Sequence, residues 1–230
     1  MASGEYIARI DSDDVWELNK LEIQVQYMEN HSECGACFTK VNIIDEYSNI
    51  ANDMYDEYFQ LFNSAENKSQ REWLRFFFYQ GNCLCHPSVV IRRNVLEHVG
   101  GYYHLAYVPA EDYELWTRIV MKYPIHILEE KLVRYRWEET VNKISGKTDG
   151  RIYAFPNIMM LTRKRIMENI DNEDFVRYLV MVPNDNPLLH KNIISDYVQV
   201  CSASNNAAIQ RLITEVNELY EKINTIEPNI

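Results

Sequence analysis

Gly4-Glu5-Tyr6-Ile7-Ala8-Arg9-Ile10-Asp11-Ser12-Asp13-Asp14 is the stretch whose reading decides the fold. Glu5 to Ile10 is short and rich in β-formers, and the acids from Asp11 to Asp14 close it, so it reads as a strand running into a polar turn. Residues two apart at the end of an extended segment point the same way, which lets Asp11 and Asp13 address one ligand while Ser12 faces elsewhere. Hard oxygen donors of this kind suit Mg²⁺ or Mn²⁺. The bland alternative is a solvated acidic turn, or a cap for the helix that follows.

Beyond the turn, Leu18, Leu21, Val25 and Met28 recur at helical spacing with Lys20, Glu22, Gln24 and Glu29 off that line. This predicts an amphipathic helix whose apolar stripe packs on a sheet. Cys34 to Ile44 reads as a second strand, and the polar segment from Asp45 to Gln70 as a long excursion with some helix. Trp73, Leu74, Phe76, Phe77 and Phe78 form a dense aromatic group, read as buried core or, alternatively, as a contact with a membrane surface. A loop over Gly81 to Pro87 leads into a short strand from Ser88 to Arg92, then a helix from Asn94 to Val99 that stops at Gly100-Gly101. Glu111 and Asp112 open a helix carrying Tyr113, Leu115, Trp116, Ile119 and Val120, with acids at the end where the helix dipole prefers them. Ile125 to Leu128 and Leu132 to Tyr135 suggest two extended pieces.

From Arg151 the pattern becomes helical, punctuated by Pro156, Pro183 and Pro187, with a boundary near Gly150. The last helix carries Ile209, Leu212, Ile213, Val216, Leu219, Tyr220 and Ile223, about two heptads of an a/d-like stripe. Packing against its own domain and a contact between two copies, a homo-oligomer, are both open readings of it.

The composition narrows the function. With 34 acidic against 23 basic residues and a net charge of -11, the chain lacks general attraction for phosphate backbones, which argues against a nucleic-acid partner. No apolar run reaches the roughly 18 residues of a spanning helix, and no basic-then-apolar leader opens the chain, so a cytoplasmic location is expected. The five cysteines sit in or beside apolar stretches and read as reduced, buried hydrophobes. A zinc site from Cys34, Cys37, Cys83 and Cys85 is the weaker alternative, because the second pair lacks the knuckle spacing.

Three patches, taken in order, resemble the later motifs of family 2 glycosyltransferases. The first is the opening stretch with Lys20-Leu21-Glu22 and Gln26; the second is Asn82 with His86-Pro87-Ser88-Val89-Val90-Ile91-Arg92-Arg93 and Val99-Gly100-Gly101-Tyr102. The third is Glu111-Asp112-Tyr113-Glu114-Leu115-Trp116 with Arg118, leading to Leu132-Val133-Arg134-Tyr135-Arg136. Each is weak alone, and their order and spacing carry the resemblance. It implies an α/β fold: a partial GT-A, Rossmann-like mixed sheet with flanking helices over residues 1–150, then a helical region over 151–230. The family's nucleoside-binding half lies upstream of D-x-D, so the chain reads as the C-terminal part of the catalytic domain, and an exposed sheet edge with association as its remedy is expected.

The resemblance implies an inverting, metal-dependent transfer from a nucleotide-sugar donor to a carbohydrate or lipid-linked acceptor, in polysaccharide or glycoconjugate synthesis. A lipid-linked acceptor would place the chain at the inner face of the membrane. Asp13 is implied as ligand to Mn²⁺ or Mg²⁺ and Asp11 as a contact on the nucleotide side, with Asp14 assisting at the metal. Asp112 is implied as the base that takes the acceptor's proton, and the helix dipole should favour its ionised form. Asn82, His86, Glu111 and Trp116 are the acceptor candidates. His86 reads equally as a satisfied loop residue, and Trp116 as core. Arg92, Arg93 and Arg136 are candidate phosphate forks. Many relatives carry a histidine three residues past the tyrosine at Tyr135; here it is Glu138, a carboxylate that still suits a hard cation. The competing reading is a non-catalytic interaction module derived from a transferase.

Overall fold

The structure is a computed structural model of the 230-residue chain and describes residues 3–104, 107, 110–137, 158–166, 214 and 218. Two compact units divide it, one of Met1–Phe77 with Gly81–Ile158 and the other of Phe78–Gln80 with Met159–Ile230. The expected boundary near Gly150, the prolines beyond it and most of the C-terminal stripe lie outside the described residues. A helix over 158–166 and helical positions at Thr214 and Glu218 are the described parts of that region.

The first unit is built on a five-stranded mixed sheet. Its strands are β1 (Tyr6–Ala8), β2 (Val15–Trp16), β3 (Ala36–Ile44), β4 (Val90–Arg92) and β5 (Ile125–Arg136), in the order β1-β4-β3-β5-β2. Only β3 and β5 run parallel; β1 with β4, β4 with β3 and β2 with β5 are antiparallel. Helices α1 (Lys20–Asn30), α2 (Asp56–Asn63), α3 (Gln70–Tyr79), α4 (Arg93–His98) and α5 (Glu111–Val120) connect or flank the strands. This is a partial GT-A-like α/β fold.

The two extended pieces expected after α5 are one strand. β5 pairs Leu128 with Thr39, Lys131 with Lys40 and Val133 with Val41, so irregularities at Lys40 absorb the charged residues Glu129 and Glu130 without ending the strand. Ala36, Cys37 and Phe38 of β3 are buried, as are Ile125 and Ile127 of β5, which fits the apolar runs of a parallel pair covered by helices.

Helix α1 corrects the expected stripe. Leu18 precedes the helix and is exposed, and Leu21 is exposed, whereas Lys20, Gln24 and Met28 form the buried line. The reason is a gap in the ladder. β3 and β4 pair only at Ala36/Ile91 and Cys37/Val90, and Gln24 Nε2 donates to the carbonyls of Cys37 (2.7 Å) and Ser88 (3.0 Å) beside it. A buried carbonyl without a donor costs about 1–3 kcal/mol, comparable with burying a leucine, so the polar face goes inward. β2 has no strand signature of its own; Val15 and Trp16 are extended because they pair with Arg134 and Val133.

The aromatic group on α3 is core. Trp73 and Phe77 are fully buried, and Tyr113 donates its hydroxyl to the Phe77 carbonyl at 2.5 Å. Leu74 and Phe78 are buried as well and Phe76 is half-buried, and among the described residues no helix is long and apolar enough to cross a membrane. Cys34, Cys37, Cys83 and Cys85 are all buried, and burial raises each thiol, to about 11 for Cys34 and about 12 for Cys37 and Cys83. They pack as small hydrophobes.

Candidate active site

The acids of the first patch stand on a turn rather than at a strand end. β1 stops at Ala8, and the Asp14 N–H donates to the Asp11 carbonyl at 3.2 Å, so strand alternation does not set their directions. Asp13 and Ser12 are exposed, and Asp11 is half-buried with Oδ1 accepting from Arg9 Nη2 at 2.6 Å. Asp14 turns inward, and its Oδ1 accepts the Arg136 backbone N–H at 2.7 Å. Arg136 then ties the turn to the end of β3. Its Nε donates to the Asp13 carbonyl (2.8 Å), Nη1 to the Asp45 carbonyl (2.5 Å) and Nη2 to Ser48 Oγ (2.8 Å). Ser48 holds a left-handed backbone, φ 70°, within that staple.

Facing these acids is a short 3₁₀ turn, His86–Ser88. Arg9 Nε donates to His86 Nε2 at 2.8 Å, which leaves the ring proton on Nδ1, and the Tyr103 hydroxyl shares the same nitrogen at 2.5 Å. Burial, followed by the charge on Arg9, lowers His86 to about 3, so the ring is neutral.

Helix α5 supplies the third component. Asp112 is in its first turn, with Oδ2 accepting from Asn82 Nδ2 (2.8 Å) and Oδ1 from the Tyr113 N–H (2.7 Å). Asn82 is itself fixed, its Oδ1 accepting the Leu84 N–H at 2.9 Å. Desolvation raises the Asp112 carboxyl to about 6, with Glu111 adding to the rise, against the hydrogen bonds from Tyr113 and Asn82. The helix-dipole expectation is therefore outweighed by burial, although an acid at about 6 is still mainly ionised at neutral pH. Burial also raises the Tyr103 hydroxyl, which feels the charges of Arg9, Asp112, Glu111 and Asp11. Acids roughly a hundred residues apart thus act electrostatically on one side chain, Tyr103.

Residues 1–143 match the family model described as "Glycosyltransferase like family 2". The chain belongs to that family. Among its relatives is the uncharacterized glycosyltransferase MJ1057 of Methanocaldococcus jannaschii, 28% identical over 156 residues, which are 67% of this chain and 50% of that one. The amylovoran biosynthesis glycosyltransferase AmsE of Erwinia amylovora is 30% identical over 153 residues, 64% of this chain and 52% of that one. This family 2 glycosyltransferase chain spans about half the length of these relatives. In fold it is similar to S. aureus TarS, at a TM-score of 0.51 and 13% identity over 98% of this chain and 39% of TarS. Against residues 1-349 of TarS, solved with UDP-GlcNAc, the TM-score is 0.54 at 14% identity, covering 86% of this chain and 58% of that one.

Within this glycosyltransferase chain, several site candidates have other duties. Trp116 is fully buried, edge-on to Phe38 (4.9 Å) and His86 (5.8 Å), and presents no ring face to a sugar. Asn82 orients Asp112. Arg92 is not a phosphate fork: it donates to the Cys34 and Met28 carbonyls and to the Tyr6 hydroxyl, closing the end of α1. Arg93 donates to the Ser3 carbonyl, and Arg136 is committed to the staple. Glu111 is half-buried, with an enclosed Oε2 that has no hydrogen-bond partner among the described residues. Glu138 lies outside them. Arg9 and Tyr103 are the functional candidates that pattern reading passed over. Both belong to quoted motif patches or their margins, but their partners are 77 and 17 residues away, and no local signal announces that.

The turn fits a shared metal better than a caged one. Among the described residues no group of three or more His, Cys, Asp or Glu is placed to hold a metal ion. Two carboxylates at one turn match the chemistry of Mg²⁺ or Mn²⁺ that completes its shell with phosphate oxygens and water. Asp14, with Oδ1 on a backbone N–H, serves that turn structurally.

Proposed function

We propose that this chain carries the metal and acceptor side of an inverting transfer, in which a sugar moves from a nucleoside-diphosphate donor to an acceptor hydroxyl. The observation that carries the reading is Asp112: a desolvated carboxyl near 6, fixed through both oxygens, in electrostatic reach of the same tyrosine that feels Asp11. A general base works best with a pKa close to the operating pH, and the geometry keeps its carboxylate oriented before substrate arrives.

Asp112 takes the proton of the attacking hydroxyl as that oxygen forms its bond to the anomeric carbon from the face opposite the leaving diphosphate. Asp13, with Asp11 beside it, would hold Mg²⁺ or Mn²⁺, which offsets the charge developing on the departing nucleoside diphosphate. Arg136 keeps the turn rigid through the Asp13 carbonyl, and Arg9 orients Asp11. His86, neutral and pinned at Nε2, points a donor at Nδ1 and adds no charge to the site. A uridine nucleotide is the first donor class to try, because the similar TarS fold was solved with UDP-GlcNAc. A role in polysaccharide assembly follows by analogy with AmsE.

Calorimetric titration with UDP and other nucleoside diphosphates, with and without Mn²⁺, tests the reading. Metal-dependent binding that disappears in Asp13→Asn supports it. Binding that ignores both the metal and the substitution removes the metal assignment, and no binding with any nucleotide means that the donor site needs chain beyond this one.

A further inference from the structure

We infer that the buried Glu114–Arg118 pair is a positioning latch that holds Tyr103 on His86 and thereby ties the helix of Asp112 to the Arg9–Asp11 side of the site. The inference shares that site with the proposed transfer, but the contacts that carry it are independent of any ligand.

Glu114 is fully buried and Arg118 is 3% exposed, one turn apart on α5. Arg118 Nε lies 2.9 and 3.0 Å from the two carboxylate oxygens. Its remaining nitrogens reach outward from the helix: Nη1 donates to the carbonyls of Val99 (2.9 Å) and Gly101 (2.8 Å), and Nη2 to that of Tyr102 (2.7 Å). A planar guanidinium can serve an acid and three carbonyls together, and a lysine ammonium cannot reproduce that fork. The carbonyls belong to the turn after α4, where Gly100 and Gly101 have φ of +94° and +88°. An added Cβ would meet nothing within 4 Å at either glycine, so backbone conformation, not space, requires them.

The residue after this clamped turn is Tyr103, whose hydroxyl meets His86 Nε2 at 2.5 Å. From there Arg9 bridges His86 to Asp11. The path from α5 to the acidic turn is therefore continuous. A buried ion pair adds little net stability over an apolar pair of the same size, so stability alone does not account for this arrangement, whereas register between two acid clusters does. Arg118 acts through Tyr103 and is a positioning residue.

The test is ¹⁵N NMR of the His86 ring in the full chain, comparing wild type with Tyr103→Phe, Arg118→Lys and the double variant. The wild-type ring should keep its proton on Nδ1 and stay neutral down to about pH 5, given a pKa lowered to about 3. Tyr103→Phe should shift the Nε2 resonance and raise the ring pKa; Arg118→Lys should do the same, and the double variant should add nothing further, as expected for groups acting in series. A folded Arg118→Lys chain with a wild-type His86 signal overturns the latch. Should Arg118→Lys fail to fold, Gly101→Ala, which strains the same turn from the surface, supplies the readout with the same two outcomes. Wherever transfer is measurable, the latch variants should lose about 10- to 100-fold in kcat, the scale set by small misplacements of reacting groups, at little change in donor KM. Loss in donor KM alone would count against it. The NMR outcome holds even if the transfer reading fails, so the two ideas fall separately.

Discussion

Helix α1 follows an acidic cluster and α5 opens with one, and each buries a cation on its inner face. On α5, Arg118 meets Glu114 and three carbonyls, and each nitrogen of its fork donates a hydrogen bond. On α1, Lys20 is fully buried, its Nζ has no hydrogen-bond partner among the described residues, and it rests 4.1 Å over the Trp16 ring. Burial lowers Lys20 to about 7. The difference teaches that burial of charge marks a working position only where the surrounding backbone is built to receive it. The acids divide along the same line: the exposed turn at Asp13 suits a ligand's cation, and the desolvated Asp112 suits a proton.

The sharpest break of this comparison is Asp112→Asn. It should lower kcat by about 10²- to 10⁴-fold, the usual contribution of a positioned base. Wild-type kcat/KM should rise with pH as Asp112 deprotonates, with its midpoint at about 6, and the variant should lose that limb. A rate profile that keeps the limb in Asp112→Asn assigns the base elsewhere.

Arg118→Met comes next. Removing one member of a buried pair costs about 3–5 kcal/mol, so denaturant unfolding should show a loss of that order. A loss under about 1 kcal/mol would erase the contrast between the two helices. Arg136→Lys should weaken Mn²⁺-dependent nucleotide binding about 10-fold, as loss of a ligand-orienting contact does, with metal-independent binding unchanged.

The smallest and opposite effect belongs to Lys20→Met. A lysine whose folded pKa lies below its ordinary 10.5 is protonated more readily in the unfolded chain, so its penalty is full below about 7 and fades as pH rises toward 10.5. Lys20→Met should therefore raise the melting temperature by a few degrees at pH 6, with the gain vanishing near pH 10. A destabilised variant at pH 6 would mean that the ammonium over Trp16 contributes more than burial removes.

Much of this was legible in the residues themselves, where the cause was local. The strand before Asp11, the helix opened by Glu111 and Asp112, and the stop at Gly100-Gly101 all follow from short-range chemistry; the helix and the stop stand where expected, and the strand ends at Ala8, short of the expected Ile10. The stripe on α1 misled because Leu18 and Leu21 look like a core face, and the demand for Gln24 comes from a ladder gap between Cys37, 13 residues on, and Ser88, 64 residues on. Val15 and Trp16 became a strand only through β5. In the site, the acids announce themselves by type and order. The arginine, histidine and tyrosine between them do not, because Arg9, His86 and Tyr103 meet only after the sheet has formed.

The irregularity where β5 passes Lys40 sets a rule on chain length. Between Leu128 and Val133 the strand takes five steps while β3 takes two from Thr39 to Val41, and the odd surplus reverses which side each later residue faces. That reversal gives Arg134, Tyr135 and Arg136 their sides, with Arg136 opposite Ile44 at the acidic turn. Insertions or deletions around Glu129 and Glu130 should therefore be tolerated in twos and not in ones, making parity, more than side-chain identity, the constraint on that segment.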